Sequence, residues 1–219
     1  MQRTMRSFSD LIESFATTTA YRDRDQIDVS VARVLHDFVQ PERLVVYRLI
    51  GDGDHRRVQR QLLIDRDGHE HGAEVRELGD LPRLIDRPAW YECEPSRDAV
   101  PYEAGAPLAA PPGPVFPVVK DDEVTGLIEV ELDQRREGLR ARDVQLIVAI
   151  LRLLGNHLAV LDYGQRDTLT GLLNRKTFDH SFERILDRAR TLSRDRSANT
   201  PSWFAIIDID RFKSINDRF

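Results

Sequence analysis

The sequence is poor in the features that mark several protein classes. Cys93 is its single cysteine among 219 residues, so no internal disulfide forms and a disulfide-stapled secreted scaffold is excluded. Positive charge is not in excess. The 32 Lys and Arg stand against 37 Asp and Glu, a net charge of −5, which argues against a broad surface for nucleic acid or anionic membrane. The N-terminus, MQRTMRSFSDLIESF, carries charge throughout and holds no uninterrupted apolar stretch, so it does not read as a signal peptide. The most apolar segment, Leu146 to Leu161, contains Arg152, Asn156 and His157 and is too short and too polar to span a bilayer. The expectation is a cytoplasmic protein with no nucleic-acid or membrane partner, whose signals arrive from inside the cell.

What is present is enough for a core: 41% of the residues are apolar, over a length that holds one large or two small domains. Met1, Met5, Phe8, Ile12 and Phe15 recur at helical spacing, as do Ile27, Val31, Val34, Leu35 and Phe38, whose helix should stop at Pro41. Leu44 to Ile50 and Val58 to Ile64 read as two strands joined by the turn residues Gly51-Asp52-Gly53-Asp54. Leu78 to Ile85 reads as a short helix in an otherwise irregular stretch. After the proline-rich Pro107 to Pro117, Val115 to Lys120 and Val124 to Leu132 form a second hairpin. In it Glu129 and Glu131 alternate with Ile128, Val130 and Leu132, which predicts one wet and one buried face.

Helix, helix, hairpin, mixed segment, hairpin and long helix make an α+β pattern around a mostly antiparallel sheet. The order, with the segment PVFPVVKDDEVTGLIEVEL, resembles a GAF domain over residues 21–138, a PAS-like sensor being the alternative. From Leu139 to Tyr163 a helix about 37 Å long is predicted at about 1.5 Å per residue. Val144, Ile147, Leu151, Leu154, Leu158 and Leu161 are spaced alternately three and four, the seam of a dimerising coiled coil. The other reading of that seam is a helix packed on its own sensor domain. The N-terminal stripe, residues 1–20, would join the same bundle.

Two segments near the C-terminus carry the chemistry. RDTLTGLLNRKTFD, residues 166–179, is a turn entering a helix. WFAIIDIDRFKSINDRF, residues 203–219, is a continuous apolar run that ends abruptly in Asp208 and Asp210. Carboxylates at the end of a buried strand are not core filler, since an unpaired buried charge is too costly. They face a cleft and commonly hold a hard cation such as Mg²⁺. The first segment is similar to D-x-L-T-G-L-x-N-R of GGDEF domains, at Asp167, Leu169, Thr170, Gly171, Leu172, Asn174 and Arg175. The second is similar to D-x-D-x-F-K-x-I-N-D of the same family.

The resemblance identifies residues 166–219 as the first part of a GGDEF domain, an α/β, nucleotidyl-cyclase palm-like fold, and residues 139–165 as the connector. It implies Mg²⁺ at the Asp208 carboxylate and the Ile209 carbonyl. It implies GTP phosphates on the backbone amides around Arg211 and Phe212, with Lys213 nearby, and guanine on Asn216. The family reaction joins two GTP into cyclic di-GMP across a homodimer. No GG(D/E)EF string occurs in the sequence. The chain is therefore expected to be the sensory and regulatory portion of a diguanylate cyclase, inactive by itself. The alternatives are a non-catalytic binding or dimerisation module, or a degenerate nucleotide-binding domain that regulates a partner domain.

Other residues are weaker candidates. His69 and His71 flank Glu70 in a polar loop, a weak metal pattern. Cys93 reads as a plain thiol rather than a chromophore attachment site. Trp90 and Tyr91 read equally as core or as the lining of a sensor pocket for an unidentified small-molecule or protein signal. No N-K-F-D-E string supports a cyclic nucleotide there.

Overall fold

Asp23 begins the first helix, its side chain accepting a hydrogen bond from the Asp25 amide at 2.7 Å. This is α1, Arg24–Val39, in a computed structural model that describes residues 21, 23–73, 76–100, 113–133, 138–167, 169–174, 177–179, 182–183, 185–186 and 205. The predicted stripe in residues 1–20 lies outside the described residues. Gln40 ends α1 in the left-handed conformation, one residue before Pro41, and its amide donates to the His36 carbonyl at 2.8 Å. The chain divides into two compact units, residues 1–164 and 165–219.

In the first unit the strands are β1 (Arg43–Ile50), β2 (Arg57–Asp65), β3 (Glu70–Gly72), β4 (Val115–Lys120) and β5 (Glu123–Glu131). They form one antiparallel sheet in the order β3-β2-β1-β5-β4. Pro117 is tolerated because β4 is an edge strand. Helix α2 (Pro88–Ser96) covers one face, and α1 with α3 (Ala141–Gln165) covers the other. Both hairpins stand within a residue of their predicted bounds. The predicted helix from Leu78 to Ile85 is instead two single 3₁₀ turns, Leu78–Asp80 and Leu84–Asp86.

The α1/α3 side holds the larger core, including Ile27, Leu35, Leu44, Ile64, Phe116, Ile128 and Ile147. Arg48 fastens α1 to β1, donating to Asp25 at 2.9 Å and to the buried Asp28 at 2.6 Å. The α2 side gathers Val58, Leu84, Trp90, Cys93, Val115, Val124 and Leu127. That second core corrects one expectation. Glu129 was placed on a wet face, yet it is only 5% exposed, because α2 and the segment before it cover the other side of β5.

Helix α3 has the predicted length, shifted two residues toward the C-terminus. By length and composition it is apolar enough to cross a membrane, but Ile147, Ile150, Leu151, Leu154 and Leu158 are all buried in the domain's own core. Val144 and Leu161 pack partly against the same core. The predicted dimer seam is thus occupied within the chain, as in the alternative reading of that helix. The two elements meet very closely at Gly155, where a Cβ atom would stand 1.8 Å from the Val119 carbonyl oxygen.

Candidate functional sites

In the second unit the entry motif is a fully bonded turn. Asp167 Oδ1 accepts from the Leu169 amide at 3.1 Å, the Thr170 amide at 2.9 Å and the Thr170 hydroxyl at 2.9 Å. The Thr170 amide is the main cause holding the Asp167 carboxyl below its ordinary pKa. Gly171 takes φ +69°, a conformation that favours glycine, and its carbonyl accepts from Arg166 at 2.7 Å. Asn174 Oδ1 accepts from the Thr177 amide at 3.1 Å and caps the next helical turn. The fixed polar residues of the motif therefore build a turn. Phe178 and Phe182 then stack on one helix face, their rings 5.6 Å apart.

Asp208, Ile209, Arg211, Phe212, Lys213 and Asn216, the predicted metal and GTP residues, lie outside the described residues.

In the first unit a polar cluster sits inside the α2-side core. Glu129 projects from the same face of the sheet as Tyr47, whose ring lies 5.0 Å from that of Trp90. The Arg87 guanidinium is 4.3 Å above the Trp90 ring and 3.8 Å from Glu129 Oε2. Trp90 Nε1 and Glu129 Oε2 are fully buried, and the Tyr47 and Trp90 side chains are the polar neighbours of the Glu129 carboxyl. Burial raises the Glu129 carboxyl above its ordinary range, with Arg87 opposing, and burial also raises the Tyr47 phenol. Of the two aromatics singled out in the sequence, Trp90 is 1% exposed and belongs here, whereas Tyr91 is 51% exposed. Glu129, Tyr47 and Arg87 carried no sequence signal, since only the sheet pairing and α2 bring them together. Cys93 is buried, and burial pushes its thiol up to about 12, so it is unreactive.

The raised carboxyl has a stability consequence. The folded chain holds the Glu129 proton to higher pH than the unfolded chain, whose carboxyl stays near its ordinary 4.5. Stability is therefore greatest below that value and falls as pH rises toward the folded pKa. Glu129→Gln is expected to flatten this slope and raise the melting temperature at about pH 8. Thermal melts across the range would show it, and a wild-type slope in the variant would contradict it.

A separate open cleft of about 480 Å³ lies along β4 and α3, with Phe116, Pro117 and Leu151 as its apolar floor and Arg97, Arg152 and Asn156 on its rim.

Residues 164–219 match the family model described as "Diguanylate cyclase, GGDEF domain". No curated protein matches the chain. Among solved structures, the GAF domain of an Acinetobacter phosphoenolpyruvate-protein phosphotransferase is similar at 11% identity and TM-score 0.49, over 73% of this chain and 96% of that one. A GAF domain/HD domain protein from Geobacter sulfurreducens is similar at 13% identity and TM-score 0.49, over 68% and 98%. Residues 122 to 287 of a methyl-accepting chemotaxis protein are similar at 18% identity and TM-score 0.49, over 69% and 98%.

Proposed function

We propose, from the GGDEF segment at residues 164–219, that this chain is the sensory and regulatory portion of a diguanylate cyclase. The observation that carries the reading is that match, within which Asp167, Thr170, Gly171 and Asn174 build a bonded turn. In this reading residues 21–138 sense an internal signal, residues 139–165 connect, and residues 166–219 begin the GTP-binding domain of a cytoplasmic protein.

The donor set at the end of the apolar run is all oxygen, the Asp208 carboxylate and the Ile209 carbonyl, which fits Mg²⁺. When bound, the ion neutralises phosphate charge. Amides around Arg211 and Phe212 hold the GTP phosphates with Lys213 nearby, and Asn216 hydrogen-bonds the guanine. The sequence supplies no GG(D/E)EF hairpin, so residues 1–219 alone make no cyclic di-GMP.

Joining two GTP needs two copies. With the inner face of α3 committed to its own core, the pairing face is the outer one. Ala149, Leu153, Asn156, Val160 and Tyr163 repeat the three-and-four spacing there, and Leu153, Val160 and Tyr163 are 52%, 71% and 77% exposed. This seam runs to Tyr163, immediately before the second unit, so pairing along it would bring two GGDEF segments together. A Leu153→Lys, Val160→Lys double variant is expected to sediment as a monomer at concentrations where the wild type is dimeric. An unchanged dimer would reject this seam.

A further inference from the structure

The β2–β3 turn, Asp65 to His71, was a weak pattern in sequence because its side chains had no evident common point. The fold supplies one. Asp65 Oδ2 lies 3.2 Å from His69 Nδ1 and 3.4 Å from His71 Nε2. Asp67 is in reach as well: ligand atoms of Asp65, Asp67 and His69 all fall within 4.8 Å of one another, the one such group among the described residues.

We propose that this turn binds a divalent transition-metal ion of the Zn²⁺ type, with Asp65, Asp67 and His69 as its ligands and His71 held beside them against Asp65 Oδ2. Donors about 2.0–2.1 Å from a tetrahedral centre are about 3.3 Å from each other, which matches the 3.2 Å between Asp65 Oδ2 and His69 Nδ1. The His69 imidazole separates this group from an ordinary carboxylate cluster. Mixed nitrogen and oxygen donors favour Zn²⁺, Ni²⁺ or Co²⁺, whereas Mg²⁺ and Ca²⁺ favour oxygen alone. His69 and His71 are two apart as the chain enters β3, a spacing that puts both on one side of an extended segment.

The surroundings hold the first ligand in place. The Asp67 and His69 amides donate to Asp65 Oδ1 at 3.0 and 2.9 Å, which leaves Oδ2 facing the imidazoles. The buried His36 ring on α1 bonds the Asp65 carbonyl at 2.8 Å. Glu70 is taken by Arg33 of α1, at 2.9 Å through NH2, and is not a ligand. A bound ion would therefore bear on a turn tied to the α1 side of the core. The His69 and His71 side chains are 72% and 55% exposed, so an ion enters without backbone movement.

The test uses tag-free residues 1–219 titrated with Zn²⁺ by calorimetry in the presence of excess Mg²⁺, and with Co²⁺ followed by visible absorption. The expected result is one ion per chain, a tetrahedral Co²⁺ spectrum, and an affinity reduced by about tenfold or more in His69→Ala, His71→Ala with circular dichroism unchanged. Binding that survives the double variant, or no stoichiometric binding by the wild type, would overturn the proposal. Neither result bears on the cyclase reading, which rests on other residues.

Discussion

Gly155→Ala is expected to destabilise the first unit by about 3 kcal/mol, a fall of roughly 10 °C in melting temperature for a chain of this size. In an ordinary helix the same change is favourable, since alanine is the better helix former by about 1 kcal/mol. Here the added Cβ would stand 1.8 Å from the Val119 carbonyl oxygen and 3.0 Å from its carbon. The obstacle is backbone of β4, so relief requires moving the strand or the helix. Either movement disturbs Ile147, Leu151, Leu154 and Leu158, which are packed on the sheet. Gly164 in the same helix has nothing within 4 Å of its hypothetical Cβ. Gly164→Ala is the control and should be neutral or stabilising. Parallel melts decide the matter: equal effects at the two positions would mean that α3 does not seat on β4 as described.

The second large effect is on activity. In a complete protein, Asp208→Asn is expected to reduce Mg²⁺-dependent turnover by about a thousandfold or more, as befits losing several kcal/mol of charge stabilisation at a metal-assisted phosphoryl transfer. Asparagine has nearly the same shape and keeps a carbonyl oxygen, but it removes the negative charge that holds a hard cation. Circular dichroism should remain that of the wild type. Wild-type rates in the variant would remove Asp208 from the metal site.

The strands were legible because Leu44 to Ile50 and Val58 to Ile64 are apolar runs separated by turn residues, a strictly local signal. Helix α2 was not, since it has Pro88 at its start, Pro95 inside and only Trp90 and Cys93 turned inward. Strand β3 has three exposed residues and no apolar pattern at all. Helix α3 shows a different limit. It carries two heptad frames at once, Val144-Ile147-Leu151-Leu154-Leu158-Leu161 and Ala149-Leu153-Asn156-Val160-Tyr163. Periodicity locates both, but only the sheet's position decides that the first belongs to the core.

Glu129 illustrates the same gap between pattern and packing. Alternation in β5 identified two faces correctly, but whether the second face is wet depends on α2, which no local rule placed there. At the other end of the chain the relation is reversed. The motif around Asp167 was recognisable by its residue types, and the bonded turn supplies the physical reason for them.

In the proposed reading, residues 1–219 supply a sensor and the opening of a GTP-binding domain but not its GG(D/E)EF hairpin. Cyclic di-GMP formation from GTP and Mg²⁺ tests it most directly, measured for residues 1–219 and for a complete protein whose reading frame continues through a GG(D/E)EF motif. The predicted result is product from the complete protein and none from residues 1–219. Product from residues 1–219 alone, or none from the complete protein, would contradict it.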